Sequence, residues 1–225
     1  MIESPHIEAA ERKLLAELPT MVGALAVPEL LVPYRTHKKK YESKYNLTAD
    51  DYEFLIIQGM VDDLDSPERL DSLLPSEYSY TITPKPHNIS NACLETRDAI
   101  GLGYKNKVGP SEFIGFAAAG INHDTGAIRI EQLKGIRSDA INPTAKHARN
   151  AIRWCETLVK AWAVVGAQLE LENVEIAIYP ATPESLRLSR MRDRHHRTAQ
   201  YLGFKQVTND LWRQSIATLK KPSQP

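Results

Sequence analysis

Ala127-Ile-Arg-Ile-Glu-Gln-Leu-Lys-Gly-Ile-Arg137, a short polar loop, then Asn142-Pro-Thr-Ala-Lys-His-Ala-Arg-Asn-Ala-Ile-Arg-Trp-Cys-Glu-Thr-Leu-Val-Lys-Ala-Trp162 is the stretch around which the chain is arranged. The first part alternates apolar and polar residues with period two, which predicts a strand. Asn142 is a good N-cap, and Pro143 at the first helical position loses no bond by lacking an N–H, so a helix is predicted from there to Gly166. Ala148, Ile152, Cys155, Val159 and Trp162 step by three or four and share one face. Lys146, Arg149, Asn150, Arg153 and Glu156 fall on the other side. Basic residues close to a helix start, where backbone N–H groups already favour an anion, would suit a phosphate-bearing ligand. Gly135, at the end of the strand, would permit a bulge or a close backbone approach. The plainer reading of these basic residues is a solvated face on a core helix.

At 225 residues the chain can bury a sizeable core. Its 28 basic and 28 acidic residues cancel, so the global charge points to no polyanionic partner. The charge is unevenly spread: residues 50–77 are strongly acidic, whereas residues 185–205 are basic. No basic n-region and apolar core open the chain, and no window approaches a membrane span. The two cysteines lie far apart, and Cys155 sits on an apolar face, so a disulfide-free cytoplasmic protein is expected.

Outward from the central stretch, Ser4–Glu17 reads as a helix, and Leu47 onward reads as another, capped by Thr48 with Asp51 three residues later. A further helix is expected from Ser66, which makes residues 1–76 a helical N-terminal extension. Tyr78–Thr83 is predicted to be a strand. A helix capped by Asn88 or Ser90 then runs to Ile100, and Gly101–Pro110 reads as a turn-rich loop. Phe113–Ile121 forms a hairpin with the Ala127 strand across His123-Asp-Thr-Gly126. Val174–Tyr179 is a strand, Thr182-Pro183 opens a helix to about Leu202, and Phe204–Val207 with Leu211–Ile216 closes the chain as a hairpin.

This order of elements, with Phe113-Ile-Gly-Phe-Ala at the hairpin and Tyr201-Leu-Gly-Phe204 after the last helix, resembles the GNAT superfamily of acyl-CoA N-acyltransferases over about residues 78–216. The resemblance implies an α+β domain at 77–225: a mixed, mostly antiparallel central sheet flanked by helices. It also implies acyl transfer, with acetyl the expected acyl group, from an acyl-CoA co-substrate to an amine, and no metal. The family's pyrophosphate loop reads Arg/Gln-x-x-Gly-x-Gly/Ala. Two registers answer to it, Gln132-x-x-Gly135-x-Arg137 and Lys146-x-x-Arg149-Asn150-Ala151; the second is preferred, because in that family the helix N-terminus binds the phosphates. The family's frequent Tyr, four residues before Gly-Phe, falls on Ala199. Tyr201 would then be the hydroxyl nearest in sequence for protonating the thiolate, and Glu131 the base for the attacking amine.

Competing functions are a non-catalytic binding or regulatory module of the same architecture, with the N-terminal part offering a surface to a second copy or a protein partner, and a nucleic-acid-binding protein. Arg187, Arg190, Arg194 and Arg197 form a helical stripe and Arg35–Lys40 a basic run. Zero net charge and the lack of an aromatic-interleaved basic strand count against nucleic acid. The stripe is expected to meet carboxylates of residues 50–77. His195-His196 are adjacent, with no Cys/His cluster around them, which excludes a zinc-site spacing. His195, on the apolar side of its helix, reads as a satisfied core residue.

Overall fold

In the computed structural model, residues 5–33, 47–59, 80–83, 98–105, 111–135, 143–178 and 186–219 are described. They form α1 (Pro5–Gly23), α2 (Val27–Leu30), a single 3-10 turn (Ala49–Asp51) and β1 (Tyr52–Gly59). Then come β2 (Tyr80–Thr83), β3 (Asp98–Tyr104), β4 (Glu112–Asn122), β5 (Ala127–Gly135), α3 (Pro143–Ala151) and α4 (Trp154–Gln168). β6 (Asn173–Ala177), α5 (Leu186–Tyr201), β7 (Lys205–Thr208), β8 (Leu211–Ser215) and α6 (Ile216–Leu219) complete the order. The fold class is α+β. Eight strands make one sheet in the order β2-β1-β3-β4-β5-β6-β8-β7. Among the described strands, β5 and β6 pair in parallel and the other neighbours antiparallel.

α4 lies against the centre of this sheet. The predicted stripe is buried throughout, Trp162 completely so. The Trp162 indole N–H also donates to the Ala117 carbonyl at 2.9 Å, satisfying a polar atom that would otherwise be stranded in the core. α1 joins the same core through Ala10, Leu14, Leu18, Met21 and Val22, continuing past the predicted end and through Pro19.

Three expectations are corrected. The stretch from Leu47 is not a helix. The Thr48 N–H does donate to the Asp51 carboxylate at 2.6 Å, but it closes only one turn before the β-favouring run Tyr52-Glu-Phe-Leu-Ile-Ile pairs with β3. Ile100 ends no helix, and Gly101–Tyr104 is strand rather than loop, because those glycines make room instead of turning the chain. A Cβ on Gly101 would stand 2.4 Å from the Phe113 ring, and one on Gly103 2.9 Å from Leu55. The long central helix is in fact two, α3 and α4, parted at Ile152-Arg153. There the segment before Pro33 enters the ladder: Ile152 bridges Pro33, the Arg153 N–H donates to the Val32 carbonyl at 2.7 Å, and the Val32 N–H donates to the Thr157 hydroxyl at 3.1 Å. Backbone groups freed by the break are thereby satisfied. The expected elements at Ser66 and Asn88, the basic run Arg35–Lys40, Cys93, Asn142, Tyr179 and Thr182-Pro183 lie outside the described residues.

Candidate functional site

The site begins with an irregularity in β5. Its pairing with β4 runs Ala118 with Gln132 and Ala119 with Ile130, so Glu131 is an extra residue, a bulge. On its other side β5 pairs with β6 only at Ile128–Val174, Arg129–Glu175 and Ile130–Ile176. Beyond the bulge the two parallel strands part. Leu133 is then left with a backbone N–H and C=O that no strand takes up.

Two consecutive residues of α5 answer them. The Leu133 N–H donates to Nε2 of His195 at 3.0 Å, and Nη1 of Arg194 donates to the Leu133 carbonyl at 2.9 Å. Since Nε2 accepts, the imidazole carries its proton on Nδ1, which donates to the Ala177 carbonyl at 2.7 Å. His195 thus spans the gap between β5 and β6 while fully buried. Burial above all, and the neighbouring Arg194 cation, pull its pKa down to about 4.

Beside this gap the Trp154 ring lies flat on the sheet. Cβ atoms on Gly115 and Gly135 would stand 2.9 and 3.0 Å from it. The close approach expected at Gly135 is therefore made by an indole. Arg194 lies over the same ring, its Cζ 5.3 Å from the centroid. Arg149, half-buried on α3, is near enough to Arg194 for like charge to matter: burial, then Arg194, lower its pKa. Two guanidinium groups thus converge near the end of β5, Arg149 reaching there from the last turn of α3.

Of the residues proposed for catalysis, Glu131 sits on the bulge, largely covered, with its Oε1 2.8 Å from Nε of Arg129. Tyr201 ends α5, is 42% exposed and carries the Arg153 guanidinium 3.8 Å over its ring. Ala199, where the GNAT resemblance would have placed a Tyr, is completely buried. Of those proposed for phosphate, Gln132 is a strand residue on the sheet face opposite α4. It is 4% exposed, and its Oε1 lacks a partner. Gly135 also lies in the strand, so the Gln132 register falls before the connection to α3. Lys146 and Asn150 are exposed on α3, while Ala151 is buried at its end, so that register falls inside the helix. Arg137 is outside the described residues.

The arginine stripe does not act as one surface. Arg194 turns inward to Leu133 and Trp154, whereas Arg197 is exposed. The side chains of Arg187 and Arg190 are outside the described residues, as are most of the acidic partners expected for them. Cys155 is buried, which pushes its thiol pKa up and makes it a poor nucleophile. Among the described residues, no three His, Cys, Asp or Glu gather as a metal site, and no helix is long and apolar enough to cross a membrane.

Sequence reasoning missed Trp154 and the part played by Arg194. Gly115 and Gly135 pair across β4 and β5 and the Trp154 ring covers the bare patch they leave, an arrangement set by the register of the two strands. Comparison with protein-family models, with curated proteins and with solved structures finds no match for this chain.

Proposed function

We propose that the chain is an acyl-CoA-dependent N-acyltransferase of GNAT type, transferring an acyl group, acetyl by expectation, to an amine. The observation that carries this reading is the parting of parallel β5 and β6 just past a bulge, in an otherwise antiparallel sheet. A gap of that shape offers backbone groups to an extended amide chain such as the pantetheine arm of CoA. Lys146 in the first turn of α3 and Arg149 in its last offer cations suited to the diphosphate. Only residues 136–142 separate Gly135 from Pro143. Arg149 and Lys146 then supply charge from the helix face.

In the reaction the amine nitrogen attacks the thioester carbonyl, the C–S bond breaks and the thiolate leaves. Glu131, on the bulge, is the base that takes the ammonium proton, directly or through water; its 2.8 Å ion pair with Arg129 holds the carboxylate in place. Tyr201 is the hydroxyl proposed to return a proton to the thiolate. Incubating the protein with acetyl-CoA and primary amines, and following free thiol and product mass, tests the proposal. Amine-dependent thiol release supports it, and its absence across simple amines, polyamines and peptide amino groups counts against catalysis.

A second reading has its own observation. Leu133's ladder groups are already taken by Arg194 and His195, and Ala199 provides no hydroxyl. A GNAT-like module that binds CoA or a protein without turnover fits both. CoA binding without thiol release would select it.

A further inference from the structure

We propose that Arg194 and His195 are a gate: their side chains stand in for the ligand's amide at Leu133 and must leave before an acyl-CoA can seat in the gap. The inference rests on the acyl-CoA reading above. An amide laid along a strand edge presents one acceptor and one donor. Leu133 presents the complement, one N–H and one C=O. In this structure the acceptor is Nε2 of His195 and the donor is Nη1 of Arg194, at 3.0 and 2.9 Å. Two side chains from adjacent helix positions thus imitate a single amide, and a ligand and this pair cannot hold Leu133 together.

The stand-in is built to be released. Its contacts to Leu133 are side-chain bonds, so rotation about a few χ angles breaks them while α5 stays helical. Arg194 is also held next to Arg149 against like charge. A diphosphate arriving at Arg149 offers Arg194 an anionic partner better than a neutral carbonyl. Anchoring the charged end of the ligand therefore draws Arg194 off Leu133. His195, still bonded to the Ala177 carbonyl at 2.7 Å, is then the last group between the two strands.

The test uses coenzyme A and the full chain. Calorimetry compares the wild type with His195→Ala, and nitrogen NMR follows the His195 ring and the Leu133 amide as CoA is added. The gate predicts that removing the imidazole tightens CoA binding by about tenfold, because ligand no longer has to displace it. It also predicts that the Nε2 and Leu133 signals of the wild type shift together on binding. CoA binding with both signals unmoved and no gain in His195→Ala overturns the gate while the acyl-CoA reading stands. Failure of both forms to bind CoA overturns that reading and the gate with it. Should His195→Ala not fold, His195→Gln and the wild-type NMR titration decide by the same criteria.

Discussion

Acidification should unlock the His195 bridge, and the size of the effect follows from its burial. Its pKa is depressed to about 4 in the folded protein, against 6.5 when unperturbed. The unfolded chain therefore binds a proton more readily than the folded one between those values, and stability rises with pH there. Equivalently, the contribution is fully present above the unfolded pKa and is lost as pH falls toward the folded pKa. Integrating the linkage between about pH 7 and about pH 4.5 gives a loss of roughly 2.5 kcal/mol from this one residue. Carboxylates titrate over the same range, so the informative quantity is a difference. Urea denaturation of the wild type and of His195→Gln at several pH values isolates it, because effects of distant carboxylates are common to both. The wild type should lose about 2.5 kcal/mol more than the variant on acidification. Parallel stability profiles would refute a buried, neutral His195 bridging Leu133 and Ala177.

Trp162→Ala should cost about 3–5 kcal/mol, the range for a large buried side chain, read from the shift in denaturation midpoint. Gly135→Ala sets a methyl 3.0 Å from the Trp154 ring and should destabilise by roughly 1–3 kcal/mol, and shrinking the ring in Gly135→Ala/Trp154→Leu should recover part of the loss in a double-mutant cycle. Thr157→Val leaves the buried Val32 N–H without its acceptor, and a cost of about 1–3 kcal/mol with faster amide exchange at Val32 would mark the N-terminal segment as part of the core. Arg149→Ala should weaken CoA binding by about 1.5–3 kcal/mol in calorimetry, with folding stability unchanged; equal affinity would mean a merely solvated helix face.

The elements that announced themselves were those with one clean period. β5 alternates, and the stripe from Ala148 to Trp162 keeps its spacing even across the break at Ile152, so both were legible in the sequence. β1 was not, because its capping residues Thr48 and Asp51 are authentic yet close only one turn, and nothing local tells one turn from four. β3 was hidden by glycines that look like turn residues but in fact clear space for Leu55 and Phe113 from neighbouring strands. The helix break depends on Val32 and Pro33, more than a hundred residues earlier, and no window around Ile152 contains them. The same limit applies to the site. Glu131 and Arg149 could be named only as candidates from type and position, and the burial of His195 from its helix face. The bridge it makes requires the register of β5 against β6 and the pitch of α5, which are properties of tertiary pairing.

The claim most exposed to refutation is that this protein takes an acyl-CoA in the gap between β5 and β6. Native mass spectrometry tests it directly, on the protein as purified and again after addition of acetyl-CoA. A complex heavier by one molecule of CoA or acyl-CoA is expected, its population reduced by Arg149→Ala. A protein that stays at its own mass through saturating acetyl-CoA, and is unaffected by that substitution, would contradict it.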